Sequence, residues 1–255
     1  REKPDRVICC LGRTHGPGCS TIDYLEQPGK LRDNVRDNLF APLALALCCR
    51  DAGCHMTYVG TGCIFEYSAG APDAFDEDSA PNFFGSGYSV VKGFTDRLMH
   101  LLDGAVLNLR IRMPITDEVH PRNFVTKITR YEKICSVPNS MTVLDDLLPR
   151  LVELCERGET GTVNLCNPGA MSHNQILELY RDIVDPGFTW QNFTREEQDA
   201  LLAAGRSNNR MDTSRLERLC PGVPSLRDAV EAALRRMAAR PVNRGEAELG
   251  ARGDR

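Results

Sequence analysis

The sequence of 255 residues contains no apolar run approaching the about 18 residues that a membrane-spanning helix needs. It also has no excess of basic residues, since 31 Lys and Arg face 35 Asp and Glu and the formal net charge is −4. A nucleic-acid binder would carry a basic stripe, and a secreted protein would begin with a charged and then apolar leader. Neither pattern is present, so we expect a cytoplasmic globular protein with no membrane or nucleic-acid partner.

The cysteines and histidines do not have the spacing of a metal site. Eleven cysteines occur, but Cys-x-x-Cys pairs do not recur and the five histidines form no ligand pattern. We therefore expect no metal, and we interpret most cysteines as small buried hydrophobic residues in a reducing compartment.

Short apolar runs alternate with segments of helical periodicity along the chain. The runs at 7–12, 56–60, 105–111 and 161–166 are typical of strands buried on both faces. Helical patterns lie at 34–49, 88–102, 144–155 and 172–184, and Pro42 should kink or bound the first of them. This alternation predicts an α/β fold with a parallel sheet, in which ligands bind beyond the carboxyl ends of the strands.

Tyr88 and Lys92 are four residues apart at the start of a predicted helix, so their side chains share one face. A lysine ammonium beside a phenol favours the phenolate, and a phenol tuned in this way can exchange a proton with a carbonyl oxygen. The spacing alone is common, and an ordinary helix with a half-buried Tyr and a solvated Lys fits it equally well. Segments 10–15, 60–65 and 112–115 also follow predicted strands, which favours a shared functional crevice.

These residues resemble a pattern of the extended short-chain dehydrogenase/reductases. That family has an Asn on the helix after its fourth strand, a Ser or Thr at the end of the fifth, and Tyr-x-x-x-Lys at the next helix. The matching residues here are Asn38, Thr61, Tyr88 and Lys92. The resemblance implies that Tyr88 is the general acid and that Thr61 hydrogen-bonds the substrate oxygen. It also implies that Lys92 holds the nicotinamide ribose and lowers the pKa of Tyr88.

Longer motifs resemble the nucleotide-rhamnose synthases of plants and algae, whose reductase part is similar to bacterial dTDP-4-dehydrorhamnose reductase. The motifs lie at 61–67, 110–115, 121–133, 138–142, 167–169, 188–194 and 206–209. The resemblance implies an enzyme that epimerises C3 and C5 of a nucleotide-linked 4-keto-6-deoxyglucose. It then reduces the C4 ketone with NADPH or NADH, giving nucleotide-L-rhamnose. UDP and dTDP both remain open as the nucleotide.

Epimerisation beside a ketone needs a base that removes a proton and an acid that returns one. The resemblance implies these roles for Cys63 and Lys127, which on their own would be a buried thiol and a solvated lysine. Arg206 suits a pyrophosphate, and the other expected substrate contacts are Thr61, Arg122, Asn123 and Asn209. The expected cofactor contacts are Cys10, Leu11, Gly12, Asn38, Tyr88, Lys92 and Met113.

The family's glycine-rich turn, which cradles the pyrophosphate of a dinucleotide, does not occur in the sequence. Gly12, Gly16 and Gly18 follow a predicted strand, but Pro17 and the absence of a following helix make a poor match. We therefore expect a Rossmann-like parallel sheet without its N-terminal glycine-rich βαβ portion, together with weak or absent NAD(P) binding. The strand at 7–12 would then have an exposed apolar edge.

The same comparison predicts how the chain is divided. Residues 1–115, with 145–166, form a partial cofactor domain. Residues 116–240 form a small α/β substrate lobe, and 241–255 form a disordered tail. A homodimer is compatible with this arrangement.

Two other functions fit the fold. One is a different nucleotide-sugar reductase or epimerase, against which Cys63 and Lys127 argue because a simple reductase needs neither. The other is a non-catalytic relative, such as a regulatory methionine adenosyltransferase subunit. The joint presence of Thr61, Tyr88 and Lys92 argues against that reading.

Overall fold

A computed structural model describes residues 3–194, 197 and 205–240 of the chain. Within this part, four parallel strands form one sheet in the spatial order β1-β2-β3-β5. The strands are β1 Arg6–Cys9, β2 His55–Thr61, β3 Val106–Ile111 and β5 Gly161–Asn164. The predicted α/β fold with a parallel sheet is confirmed. The predicted tail at 241–255 lies outside the described residues.

Two further strands of two residues each pair in parallel beside the main sheet. They are β4, Lys133–Ile134, and β6, Gln191–Asn192. The sequence did not indicate them, because two residues are too few to show the alternation by which strands are recognised.

Helices connect the strands and cover both faces of the sheet. They are α1 Leu31–Val35, α2 Ala41–Asp51, α3 Gly87–His100, α4 Phe124–Ile128, α5 Leu144–Arg157, α6 His173–Ile183, α7 Ser214–Leu219 and α8 Leu226–Ala239. None of the helices in the described ranges is long and apolar enough to cross a membrane.

Pro42 shapes the first helical segment. α1 continues through a π-helical turn, Arg36–Phe40, into α2, where Pro42 is the second residue. Proline has no N–H, so the carbonyl of Asn38 four residues earlier lacks its helical donor. The Thr95 hydroxyl of α3 donates to that carbonyl instead, at 2.7 Å. The expected kink is therefore a π-turn that ties α2 to the helix of Tyr88.

Apolar residues at neighbouring positions of a strand pack into different hydrophobic cores, because strand side chains alternate between the two faces of the sheet. Val106 packs with α2 and α3 on one face, whereas Leu107 and Leu109 pack with α5 and α7 on the other. A third core lies among α4, α6 and α8, and includes Ile115, Met141, Ile176, Val230 and Leu234.

β1 forms one edge of the main sheet, and β2 is its partner among the described strands. Ile8 on this strand is 45% exposed, and Leu11 beyond it is 46% exposed. These two apolar side chains are therefore exposed at β1, and the predicted exposed edge stays a prediction.

Candidate active site

Thr61, Cys63 and Tyr88 meet at the carboxyl end of β2. Thr61 is the last residue of that strand, and its hydroxyl accepts a hydrogen bond from the Cys63 backbone N–H at 3.0 Å. Tyr88 lies in the first turn of α3, which Ser86 caps by accepting from the Ser89 N–H. Parallel strands place their carboxyl ends at one edge, and the helix that follows β2 brings Tyr88 back to it.

The pKa of Tyr88 is raised above its ordinary value. Burial is the main cause, nearby Cys63 adds to it, and contact with the Thr61 hydroxyl opposes it. The expected lowering by Lys92 is therefore wrong for this structure, because the phenol is almost fully removed from water. A raised pKa keeps the phenol protonated at working pH, which is the form that a general acid needs.

Lys92 is buried, and its Nζ donates to the Tyr58 hydroxyl at 2.7 Å. Burial lowers its pKa to about 8. A Cβ added at Gly12 would lie 3.1 Å from that Nζ, so the glycine keeps the space beside the ammonium open. Cys10 and Leu11 are also exposed at this end of β1. The residues therefore fit the ribose end of a dinucleotide.

Asn38 braces the loop after β1. Its side chain is fully buried, accepts from the Arg13 N–H at 2.9 Å and donates to the Arg13 carbonyl at 3.0 Å. Asn38 therefore supports the loop that would face the cofactor, and its direct cofactor contact stays a prediction.

Met113 follows β3 with φ of 38°, the one positive φ among the described non-glycine residues. Such a conformation costs about 1–3 kcal/mol and persists only where its surroundings impose it. Strain of this kind is typical of functional sites, so Met113 stays a predicted cofactor contact.

Lys127 lies half-buried in α4, near other cations. Burial lowers its pKa first, and Arg122 and Arg206 lower it further by repulsion. Arg122 contacts the His15 ring at 2.8 Å, and Arg206 pairs with Asp23 at 2.7 Å. The predicted acid Lys127 thus lies near Arg206, the predicted pyrophosphate contact, and near Arg122, another predicted substrate contact.

Asn123 has a structural role at the start of α4, and its expected substrate contact stays a prediction. It is 3% exposed and caps α4, since its Oδ1 accepts from the Val125 N–H. Its Nδ2 donates to the carbonyls of Thr116 and Glu118. An Asn before a short apolar helix is the usual signal for such a cap.

Asn209 is likewise fully buried, and its expected substrate contact stays a prediction. Its Nδ2 donates to the carbonyls of Gly62 and Phe65, on either side of Cys63, at 3.0 and 2.8 Å. It therefore braces the segment that carries Cys63.

Arg112 also supports that segment, and the sequence did not single it out. It is 1% exposed and donates to the Gly62 carbonyl at 2.9 Å and to the Ser207 hydroxyl at 2.7 Å. It also binds the Asn139 Oδ1 at 2.6 Å. A charged residue directly after a buried strand was the available signal.

Comparisons with known proteins bear on this site, although no family model matches the chain. Protein L780 of Acanthamoeba polyphaga mimivirus is 56% identical over 239 residues, which is 92% of this chain and 82% of L780. Its crystal structure is described as that of a UDP-rhamnose synthase, and it superposes with a TM-score of 0.89 over 92% of this chain and 83% of that one.

Two other proteins are similar. The Arabidopsis thaliana bifunctional dTDP-4-dehydrorhamnose 3,5-epimerase/dTDP-4-dehydrorhamnose reductase is 43% identical over 233 residues, covering 89% of this chain and 75% of its own. The Bacillus anthracis dTDP-4-dehydrorhamnose reductase, solved with NADP, has a TM-score of 0.72 at 19% identity, over 90% of this chain and 80% of that one. This last likeness concerns the fold. The relatives at 56% and 43% identity show that the chain belongs to the nucleotide-rhamnose synthases, a group of the extended short-chain dehydrogenase/reductases.

Proposed function

We propose that this protein is an enzyme that converts a nucleotide-linked 4-keto-6-deoxyglucose into nucleotide-L-rhamnose. It epimerises C3 and C5 and then reduces the C4 ketone with NADPH or NADH. The observation that carries the proposal is the convergence of Thr61, Cys63 and Tyr88 at the end of β2, with Lys92 one turn along α3. The names of L780 and of the Arabidopsis relative, a synthase and an epimerase/reductase, support it.

Epimerisation uses Cys63 and Lys127 on opposite sides of the sugar. The Cys63 thiolate removes the proton beside the ketone, and the electron pair moves onto the C4 oxygen. Hydroxyl donors from Thr61 and Tyr88 stabilise that enolate oxygen. The Lys127 ammonium then returns a proton to the other face, and its lowered pKa makes the release easier.

Reduction uses Tyr88 and Lys92. When bound, the nicotinamide cofactor supplies the hydride for C4. Tyr88 donates its proton to the C4 oxygen, and its raised pKa keeps that proton available. Lys92 holds the ribose hydroxyls, beside the open surface at Gly12.

The substrate lies between the two parts of the chain. Arg122 and Arg206 bind the diphosphate of the UDP or dTDP group, since guanidinium forks match phosphate oxygens. Residues 1–115 with 145–166 form the cofactor side. Residues 116–240 form the substrate side, and the separate core among α4, α6 and α8 supports this division.

We also infer a cytoplasmic homodimer. All eleven cysteines are free thiols, as a reducing compartment maintains them. Phe94 on α3 and Leu101, which directly follows that helix, are 60% and 79% exposed. An apolar stripe of this kind suits a second copy of the chain.

The epimerase half can be tested without cofactor. The protein is incubated with UDP-4-keto-6-deoxyglucose in deuterium oxide, and mass spectrometry should show deuterium at C3 and C5. Cys63→Ser should abolish the exchange. Cys48→Ser, at an exposed thiol on α2, should leave it unchanged. Exchange at the wild-type rate in Cys63→Ser would contradict the epimerase assignment. Adding NADPH then tests reduction to the rhamnose nucleotide.

A further inference from the structure

The Lys92 ammonium has an unusual partner for a buried cation. Lys92 is 5% exposed, and its Nζ lies 2.7 Å from the Tyr58 hydroxyl and 5.1 Å from the centroid of that ring. Asp96 follows one turn later on α3, at the spacing that commonly pairs with lysine. However, Arg110 binds both oxygens of Asp96 at 2.8 Å. Within the described part of the chain, the Tyr58 hydroxyl is the one side-chain acceptor that Lys92 contacts.

Gly12 makes this contact sterically feasible. A Cβ at Gly12 would lie 3.1 Å from the Lys92 Nζ, so the ammonium occupies space that the glycine leaves. Tyr58 lies on β2 and is 1% exposed, and a Cβ at Gly60 would be at ordinary contact distance, 3.4 Å, from its ring atom Cε1.

We propose that Tyr58 is a positioning residue of this active site, whose buried hydroxyl accepts a hydrogen bond from Lys92 and so holds the ammonium beside Gly12. An ammonium has three N–H donors, so two remain for the hydroxyls of a bound ribose. Without an acceptor, a buried ammonium loses its proton or turns away. This inference rests on the proposed function, because it assigns Tyr58 a role in the same reductase site.

The surroundings of Lys92 explain why one acceptor matters. Burial lowers the pKa of Lys92 to about 8, and Cys9 on β1 and Cys63 after β2 act in the opposite direction. The pKa of Lys92 therefore lies close to working pH. Loss of a hydrogen bond to its charged form favours the neutral amine.

The surroundings of Tyr58 keep its hydroxyl neutral. Burial raises the pKa of Tyr58 well above its ordinary value, and Tyr88, Cys9 and Asp96 add to the effect. The hydroxyl therefore stays available as an acceptor across the pH range in which Lys92 titrates.

Tyr58→Phe removes one oxygen and keeps the ring, which makes it a sharp test. We expect the pKa of Lys92 to fall by about one unit more. Reduction requires charged Lys92, so the rate is full at a pH below the pKa of Lys92 and falls as the pH rises through that pKa. In Tyr58→Phe, reduction at saturating NADPH should therefore decline about one pH unit earlier than in the wild-type protein.

The titration is measured by NMR on protein with 13Cε-labelled lysine. The sequence keeps the spectrum simple, because its lysines are Lys3, Lys30, Lys92, Lys127 and Lys133. Tyr180→Phe on α6, where Tyr180 packs against Phe188, is the matched control and should not shift the Lys92 midpoint. An identical Lys92 midpoint in wild-type protein and Tyr58→Phe would overturn the proposal.

A second measurement does not depend on whether Tyr58→Phe folds. In wild-type protein with 13Cζ-labelled tyrosine, the Tyr58 resonance should move with the same midpoint as Lys92, and Lys92→Met should abolish that movement. A Tyr58 resonance that ignores the Lys92 titration would also overturn the proposal. Neither titration needs substrate. Missing deuterium exchange would therefore reject the proposed function alone, whereas unlinked midpoints would reject the role of Tyr58 alone.

Discussion

The carboxylate of Glu26 accepts a hydrogen bond from the backbone N–H of Gly87, 2.8 Å away, at the first residue of α3. Glu26 ends a 3₁₀ turn, Ile22–Glu26, whose Tyr24 and Leu25 pack against Tyr88. A carboxylate at this position meets an N–H that has no helical partner and the positive end of the helix dipole. The segment after β1 thereby stabilises the first turn of α3, which carries the proposed general acid Tyr88.

Glu26→Ala should lower the free energy of unfolding by about 1 kcal/mol, because the capping contact to α3 is lost. It should also reduce kcat more than it changes substrate KM, since Tyr88 is held less firmly. Urea unfolding and steady-state kinetics measure both effects. Glu156→Ala, at an exposed position of α5, is the control and should change neither. Wild-type stability in Glu26→Ala would show that the contact contributes nothing.

Gly12→Ala should impair reduction, because the new Cβ would lie 3.1 Å from the Lys92 Nζ and 3.2 Å from the Asn38 Oδ1. Both groups would have to move away from the cofactor side. Gly104→Ala is the matched control, since a Cβ there meets no atom within 4 Å. Kinetics at varied NADPH should show the loss in Gly12→Ala alone. Equal rates in the two variants would count against the placement of Lys92.

Tyr88→Phe should slow reduction by about 10²–10⁴-fold, the usual contribution of a general acid. The fold should persist, because the ring that packs with Tyr24 and Leu25 is retained. Single-turnover reduction of the epimerised ketone measures the chemical step. Tyr180→Phe should reduce the substrate at the wild-type rate, and an undiminished rate in Tyr88→Phe would reject the acid assignment.

Asp96 should make stability depend on acid pH. Burial opposes its ionisation, but hydrogen bonds from His100, Arg110 and Asn108 outweigh this and hold its pKa at about 2. Because the pKa of Asp96 is lower in the folded than in the unfolded protein, its carboxylate stabilises the fold at any pH above the unfolded pKa. This stabilisation is lost as the pH falls toward the pKa of the folded protein. The loss should be roughly 2 kcal/mol between about pH 4 and pH 2.

Urea unfolding of the wild-type protein across this pH range measures the change in the free energy of unfolding. Asp96→Asn should lack the pH dependence that Asp96 causes. Asp37 has a pKa of about 2 as well, but its side chain is 20% exposed and pairs near the surface. Asp37→Asn should therefore alter the pH dependence less. A larger change in Asp37→Asn than in Asp96→Asn would contradict this assignment.

Some predictions followed from local pattern alone. The four strands of the main sheet were recognised because buried parallel strands are continuous apolar runs, and α3 was recognised from its periodicity. The spacing of Tyr88 and Lys92 placed both on one helix. The capping role of Asn123 and the bracing role of Asn209 were not predicted, because an amide that caps a helix and an amide that binds a sugar look alike in a sequence.

The sequence alone therefore predicted the main elements, the family resemblance and a set of candidate reactive side chains, since these depend on residue type and short-range periodicity. Contacts between distant segments came only from the tertiary structure. Lys92 bonds to Tyr58 because Asp96 is taken by Arg110, and Glu26 caps α3 from a segment 61 residues away. The pKa of Tyr88 also depends on burial, which only the packed fold creates. For this reason the pKa of Tyr88 is raised where the sequence predicted a lowered one, and the proposed acid stays protonated.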